Sequence, residues 1–390
     1  MKTVVIGVTS SIACYKAAFL IKKLKGFNIE VILTHNALNL IDKKEFEKVL
    51  GKKVHIDMFY PGWNYKDYIK RAEMEHISLA DKADLFLICP ATANFIGKVA
   101  NGIADDLLTT SVMATAAPVL ICPAMNCKMW ENRIVQGNVR KLAANGYYLV
   151  MPEKGKLACG YEGEGRLASL DVIEKEVRHI IENKDKLKGK RIIVTAGGTS
   201  EEIDPVRVIT NKSSGKMGIY IAEEAAKMGA SVTLIRGRTE VEPFGNMKDI
   251  KVRSVSEMEK AIRKELRDND LIIHAAAVSD FTVEKTKGKI SSGKGIVLTL
   301  KPTAKLIDSF KKANKKIKVI GFKAEHDVDK ATLLSSAKKL LKSADLVVAN
   351  DVSKGVFGSE ENDVYVVGKD KVEHIIGSKR EIARILLLAI

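Results

Sequence analysis

Polarity along the chain repeats one design twice. The run Thr3–Val8 (TVVIGV) is almost wholly apolar and the turn Thr9–Ser11 is small and polar; an amphipathic segment then reaches Lys25, Gly26 stops it, and a second apolar run covers Ile29–Thr34. The same order returns with RIIVTA from Arg191, a long polar loop, a helical period from about Gly215 to Met228, Gly229, and the run Ser231–Arg236. Apolar β-branched runs without in–out alternation belong to strands covered on both faces, and their alternation with helical periods predicts parallel sheets. Further runs of this kind fall at Asp84–Cys89, Pro118–Cys122 and Tyr147–Met151, then at Leu271–Ala275, Ile317–Phe322 and Asp345–Ala349. The charged stretch ENKDKLKGK (182–190) between the two sets has the composition of a domain boundary. The expectation is α/β: two Rossmann-like parallel-sheet domains, 1–188 and 189–390. Ligands of such sheets bind outside the carboxyl ends of the strands, so the loops that follow strands hold the candidate chemistry.

Composition narrows the class. With 390 residues, 46% of them hydrophobic and 29% charged, the chain has the material for two full cores and not the make-up of a disordered protein. No apolar run approaches the roughly 20 residues of a bilayer span, and the first strand is too short for a signal-peptide core. A soluble cytoplasmic protein with no membrane partner is therefore expected. Cys14, Cys89, Cys122, Cys127 and Cys159 are odd in number and scattered, which points to reduced thiols, and their spacing does not suit a zinc knuckle. The net charge of +16 favours anionic ligands. The lysines are interleaved with Glu and Asp and lack an arginine-rich tail, so a nucleic-acid partner is not expected.

In the first half, Thr9-Ser10-Ser11 offers hydroxyls and N–H groups ahead of a helix, suited to a phosphate or to simple capping. Pro90-Ala91-Thr92-Ala93-Asn94 and Pro123-Ala124-Met125-Asn126 put small and amide residues after strands, leaving room for a flat ligand. Taken singly, each is more often a turn. His76 stands near the start of a helix, where a lone histidine is usually a cap or a surface residue. Cys159 lies in ACGYEGEGR (158–166), whose glycines describe a mobile flap rather than a core. In the second half, Gly197-Gly198-Thr199 allows close approach of backbone to phosphate, and Ser213-Ser214-Gly215-Lys216 opens a helix without the spacing of a P-loop.

Together GVTSSIACYK, PATANF, PAMNCKMW, ACGYEGEGR and His76 resemble the homo-oligomeric flavin-containing cysteine decarboxylases over nearly all of 1–188. The likeness is strongest to the decarboxylase half of the bifunctional phosphopantothenoylcysteine decarboxylase/phosphopantothenate–cysteine ligases. IDPVRVITNKSSGKMG, AAAVSDF and ANDV resemble the ligase half of the same family across 190–390. The resemblance implies an FMN-dependent decarboxylase of 4'-phosphopantothenoylcysteine, in which transient oxidation of the substrate thiol creates the electron sink that decarboxylation needs. His76 is then the base that assists oxidation, Asn126 holds the substrate carboxylate, and Cys159 on the flap protonates the enethiol. Thr9, Ser10, Ser11, Thr34, Ala91, Asp106 and Leu107 form the FMN shell. Ser10-Ser11 stands where relatives often carry glycine.

For the ligase half the resemblance implies that CTP activates the carboxylate of 4'-phosphopantothenate as an acyl-cytidylate, which the amine of cysteine attacks. Asn211 supports that intermediate, Arg207 is a substrate-anion contact, and Lys289 closes over phosphates. Asp280 serves nucleotide and Mg2+. Ala275, Ala276, Ala304, Lys305, Leu306, Ile307 and Phe322 frame the nucleotide, with Lys338 and Lys342 at its phosphates. Ser291-Ser292 replaces two lysines frequent in relatives, and Lys294 is the available substitute. The resemblance further implies homo-oligomers, flavin-domain trimers joined by ligase dimers into a dodecamer. The competing readings are a non-catalytic flavin-binding regulatory protein and a paired dinucleotide dehydrogenase; neither half carries the GxGxxG fingerprint that the latter requires.

Overall fold

The computed structural model describes residues 1–59, 62–66, 74–156, 160–286, 288–291, 297–354 and 358–390. The chain divides into two compact units, Met1–Asn183 and Lys184–Ile390. The division falls just before Leu187, which is buried in the core of the second unit and donates its N–H to the Met228 carbonyl at 2.8 Å.

In the first unit, β1 (Thr3–Val8), β2 (Asn28–Leu33), β3 (Leu85–Ala91), β4 (Val119–Pro123) and β5 (Tyr148–Leu149) form a parallel sheet in the order 2-1-3-4-5. Every residue of β1, β3 and β4 is buried. Both faces of the sheet are covered, as the absence of alternation requires. Val4, Ile6 and Val8 pack on one side with Leu20, Ile173 and Val177 of the helices Tyr15–Lys23 and Leu170–Asn183. Val5, Phe86 and Ile88 meet Leu79, Phe95, Leu107 and Val139 on the other. A hairpin, β6 (Glu153–Lys156) with β7 (Glu162–Arg166), follows the sheet. Cys14, Cys89, Cys122 and Cys127 are buried free thiols, and burial pushes the Cys122 thiol well up.

The second unit adds β8 (Arg191–Ala196), β9 (Ser200–Glu202), β10 (Val208–Thr210), β11 (Ser231–Arg236), β12 (Lys248–Lys251), β13 (Leu271–His274), β14 (Phe281–Val283) and β15 (Leu300–Pro302). It continues with β16 (Lys318–Glu325), β17 (Leu346–Asp351), β18 (Glu361–Val367) and β19 (Val372–Ser378). Its main sheet has the order 12-11-8-13-16-17-18-19. Strands β12 to β17 are parallel, while β18 and β19 run antiparallel at one edge, a departure from the all-parallel expectation. The edge hairpin alternates buried and exposed residues because one of its faces is wet, so it lacks the continuous apolar run of a covered strand. Helices Lys216–Lys227 and Lys379–Leu388 cover one face, and Val255–Glu265, Ile307–Ala313 and Lys330–Leu340 cover the other. No helix among the described residues is long and apolar enough to cross a membrane.

Candidate functional sites

In each sheet the strand order turns back at one place, between β1 and β3 and between β8 and β13. Such switch points open a crevice at the carboxyl ends. The two crevices are fastened alike. The Thr9 hydroxyl donates to the Pro90 carbonyl at 2.9 Å and accepts the Thr92 N–H at 3.0 Å. In the second unit the Thr199 hydroxyl accepts the Ser279 N–H at 2.9 Å, and the Ala277 N–H reaches the Gly197 carbonyl at 2.8 Å.

The first crevice is a cleft of about 930 Å³. Ser10, Ser11, Asn36, Asn94 and Asn126 give it neutral polar groups, Ala13, Ala93 and Met125 give it apolar walls, and Lys16, Lys156 and Arg166 give it positive charge. Asn126 caps the helix Cys127–Trp130, its Oδ1 accepting the Lys128 N–H at 2.8 Å. The hairpin strand β7 lies against this turn, with the Met125 N–H donating to the Gly165 carbonyl at 3.0 Å. Gly163 and Gly165 permit the approach: a Cβ on Gly165 would stand 2.4 Å from the Met125 carbonyl, and one on Gly163 2.7 Å from the Cys127 Cβ.

Of the residues expected around FMN, Ser10 and Ser11 line this cleft. Thr9 instead ties the two switch-point loops, Thr34 hydrogen-bonds the Val8 carbonyl and the Ala37 N–H, and Ala91 is buried at the end of β3. Asp106 is the cap of the helix Leu107–Ala114 and shares a capping box with Thr109, while Leu107 is core. These five are not among the residues lining the cleft. Lys156 gave no sequence signal, since a cation on a hairpin reads as ordinary surface, while Lys16 and Arg166 stood out only as parts of GVTSSIACYK and ACGYEGEGR. Cys159 lies outside the described residues.

His76 belongs to the first turn of the helix Glu75–Lys82 and is not among the residues lining the cleft. Because that helix leads directly into β3, its N-terminal end lies at the carboxyl end of the sheet. Its Nδ1 is buried with no hydrogen-bond partner among the described residues. A buried imidazole nitrogen with no partner is costly. The neighbouring Glu75 contacts His55 Nδ1, and His55 Nε2 meets Glu30 at 3.2 Å. The Glu75 hydrogen bond raises the His55 pKa against the effect of burial, and Glu30 adds to the rise.

The second crevice, of about 630 Å³, collects Asn211, Ala275, Ala276, Asp280, Ala304, Lys305, Leu306, Ile307 and Phe322, all expected from sequence. The Asn211 Nδ2 donates to the Ala277 and Val278 carbonyls at 3.3 and 3.2 Å. Asp280 is ion-paired with Lys305, so a cation already stands beside the carboxylate expected to hold Mg2+. No group of three or more His, Cys, Asp or Glu able to hold a metal ion occurs among the described residues. Lys338 and Lys342 are exposed and outside the lining; on the same helix Ser336, Lys339 and Leu340 face the cleft. The helix sets this: Leu333 and Ala337 pack on the sheet, which turns Lys338, next in register, away from the crevice.

Arg207 and Lys289 also stand outside the lining. The Arg207 guanidinium pairs with buried Asp204 at 2.6 Å and donates to the Ile290 carbonyl at 3.1 Å, and the Ile290 N–H donates to Asp204. Arg207 thus anchors the loop that carries exposed Lys289. Burial would raise the Asp204 pKa, but three backbone N–H groups and Arg207 outweigh it and bring it down to about 2. Lys294 and Ser292 lie outside the described residues. On the floor, the His274 Nδ1 meets the Thr195 hydroxyl at 2.9 Å, and burial lowers the imidazole pKa to about 4, which keeps it neutral. Sequence reasoning passed over His274 because it ends an apolar strand.

Comparison with known proteins adds the following. A family model described as Flavoprotein matches residues 1–182, and one described as DNA/pantothenate metabolism flavoprotein C-terminal domain matches 187–390. The chain is 40% identical over 98% of its length to the coenzyme A biosynthesis bifunctional protein CoaBC of Bacillus subtilis, covering 92% of that protein. It is likewise 40% identical over 98% of its length to the protein of that name from Thermococcus kodakarensis, covering 93% of it. The corresponding protein of Borreliella burgdorferi is 36% identical, with 99% of this chain and 98% of that one covered.

Proposed function

Since the chain belongs to the CoaBC family of bifunctional coenzyme A biosynthesis proteins, we propose how its own residues divide two reactions between two clefts. The chain is an enzyme with both activities, cysteine ligation to 4'-phosphopantothenate and decarboxylation of the product. The observation that carries the assignment is that one polypeptide has two switch-point clefts, one in each matched half.

The first cleft would hold the flavin, FMN in this reading, which when bound would supply a reversible two-electron oxidation of the substrate thiol. The small lining residues fit a flat ring system and the Ser10-Ser11 turn suits a phosphate. His76 takes the thiol proton. Asn126 orients the carboxylate through a neutral amide, which avoids stabilising a charge that must disappear. Cys159 returns a proton to carbon while the β6–β7 hairpin excludes water.

In the second cleft a carboxylate of 4'-phosphopantothenate attacks the α-phosphorus of CTP, pyrophosphate leaves, and the cysteine amine displaces CMP from the mixed anhydride. Asn211 supports that anhydride. Lys305, now paired with Asp280, would meet phosphate, and Asp280 would be the residue to hold Mg2+. Lys289 closes from its anchored loop. We place the enzyme in the cytoplasm as a homo-oligomer in which flavin-unit trimers and ligase-unit dimers combine. The test is to supply 4'-phosphopantothenoylcysteine without nucleotide: CO2 release supports the first cleft's assignment, and its absence from the flavin-loaded protein contradicts it.

A further inference from the structure

The helix that carries His76, Glu75–Lys82, begins without a side-chain cap among the described residues, since Met74 stands at its N-cap. Its first turn is fastened from a neighbouring strand instead. Glu75, the first residue of the helix, contacts the Nδ1 of His55, whose Nε2 lies 3.2 Å from Glu30 on β2. His55 is itself bonded to the edge of the first sheet: its N–H donates to the Val31 carbonyl at 2.8 Å, and its carbonyl accepts the Leu33 N–H at 2.9 Å. The Lys52 ammonium holds Glu30 at 2.7 Å and Asn28 at 3.2 Å, so the carboxylate on β2 is fixed as well.

An ionised carboxylate only accepts hydrogen bonds, and a neutral imidazole has a single N–H to give. A ring that meets a carboxylate at each nitrogen serves both as the imidazolium, which donates twice. The Glu75 bond raises the His55 pKa, burial opposes it and Glu30 adds to the rise, in agreement with this geometry. Lys82, at the other end of the helix, also acts on Glu75. Charge-assisted bonds of this kind are the stronger class. A continuous path therefore runs from the β2 backbone through the His55 ring to Glu75, and the next residue is His76. The His76 Nδ1 has no hydrogen-bond partner among the described residues, so that atom does nothing to fix the ring and the start of the helix matters the more.

We infer that His55, acting through Glu75, is a positioning residue of the decarboxylase: it sets where the first turn of this helix begins, and hence where His76 meets the substrate thiol. The inference rests on the reading above that His76 takes the thiol proton. Proton transfer needs the base within hydrogen-bond reach of the proton it takes, so a small displacement of that base costs rate without costing affinity. The His55 and Glu30 side chains are only 24% and 17% exposed, which spares their bond much of the screening that weakens surface pairs. A pair that only stabilised the fold would leave the kcat of the folded protein unchanged.

The test is steady-state decarboxylation of supplied 4'-phosphopantothenoylcysteine by the full flavin-loaded chain, in His55→Gln, Glu75→Gln and the double variant. Each single change is expected to lower kcat about 10-fold, the scale of one charge-assisted contact acting through placement of the base, with KM moving less than about twofold. Because the two residues act as one link, the double variant loses no more than either single variant. The Glu75 side chain is 45% exposed, so Glu75→Gln decides the matter even where His55→Gln unfolds. Visible flavin absorbance, and ligation by the same protein, report that each variant is folded and loaded. Unchanged kcat in folded Glu75→Gln, an effect confined to KM, or losses that multiply in the double variant would overturn the inference. Decarboxylation by His76→Gln at the unsubstituted rate would overturn the reading of His76 instead.

Discussion

Asp204 holds Ile290 in place: its buried carboxylate accepts the Ile290 N–H at 3.1 Å while Arg207, bound to the same carboxylate, donates to the Ile290 carbonyl. Two residues far apart in sequence thus tie the loop of Lys289 to the floor of the second unit. Asp204→Asn removes the charge that organises these bonds. It is expected to raise the ligase KM for nucleotide about 10-fold, the scale of one charge-assisted hydrogen bond, while decarboxylation of supplied substrate continues. Kinetics with an unaltered nucleotide KM would separate this anchor from loop closure.

Asn211 donates to two successive carbonyls, those of Ala277 and Val278. Asn211→Asp replaces the donor with a second acceptor and turns attraction into repulsion. Ligation is expected to fall by roughly 100-fold or more, given about 3 kcal/mol for a polar group left mispaired. Decarboxylation by the same protein should persist, and equal loss of both activities would argue against independent sites.

His55 links the strand residue Glu30 to Glu75, next to His76. The Glu75 hydrogen bond raises the His55 pKa above its ordinary 6.5, and the same bond lowers Glu75 below its ordinary 4.5. The raised histidine stabilises fully below pH 6.5 and loses this as pH rises through its elevated value; the depressed glutamate stabilises fully above pH 4.5 and loses this as pH falls. His55→Gln should therefore cost most between pH 4.5 and 6.5, by about 1 kcal/mol for a partly exposed pair. Urea unfolding of both proteins across pH measures the gap, which should close on the alkaline side. A gap independent of pH would contradict the pairing.

Glu224 is 1% exposed and contacts Lys227, Arg380 and Arg384. Burial would raise its pKa, yet Lys227 and Arg384 bring it down to about 2. Glu224→Gln removes the carboxylate that Lys227 and Arg384 share, while Arg380 keeps Glu223, and is expected to destabilise the second unit by about 3 kcal/mol. The urea midpoint of that unit reports it, and a shift equivalent to less than 1 kcal/mol would mean that solvent already screens the cluster.

The covered strands were legible because burial on both faces leaves an unbroken apolar run, as in β1 and β8. Ligase residues such as Asn211, Asp280 and Phe322 were legible from motifs, and the fold gathers them around one crevice. Lys379, which lines the same crevice, was not, because its position depends on the antiparallel β18–β19 edge, whose alternating pattern resembles surface. Thr9, Asp106 and Leu107 show the opposite difficulty. Their motif neighbourhood is distinctive, but their side chains serve a loop tie, a helix cap and the core.

The most direct measurement is mass spectrometry of product formed by the purified flavin-loaded protein from 4'-phosphopantothenate, cysteine, Mg2+ and either CTP or ATP. The account predicts 4'-phosphopantetheine, formed faster with CTP, with 4'-phosphopantothenoylcysteine as the transient species. No condensed product with either nucleotide, or accumulation of 4'-phosphopantothenoylcysteine without CO2 release, would contradict the two-cleft assignment.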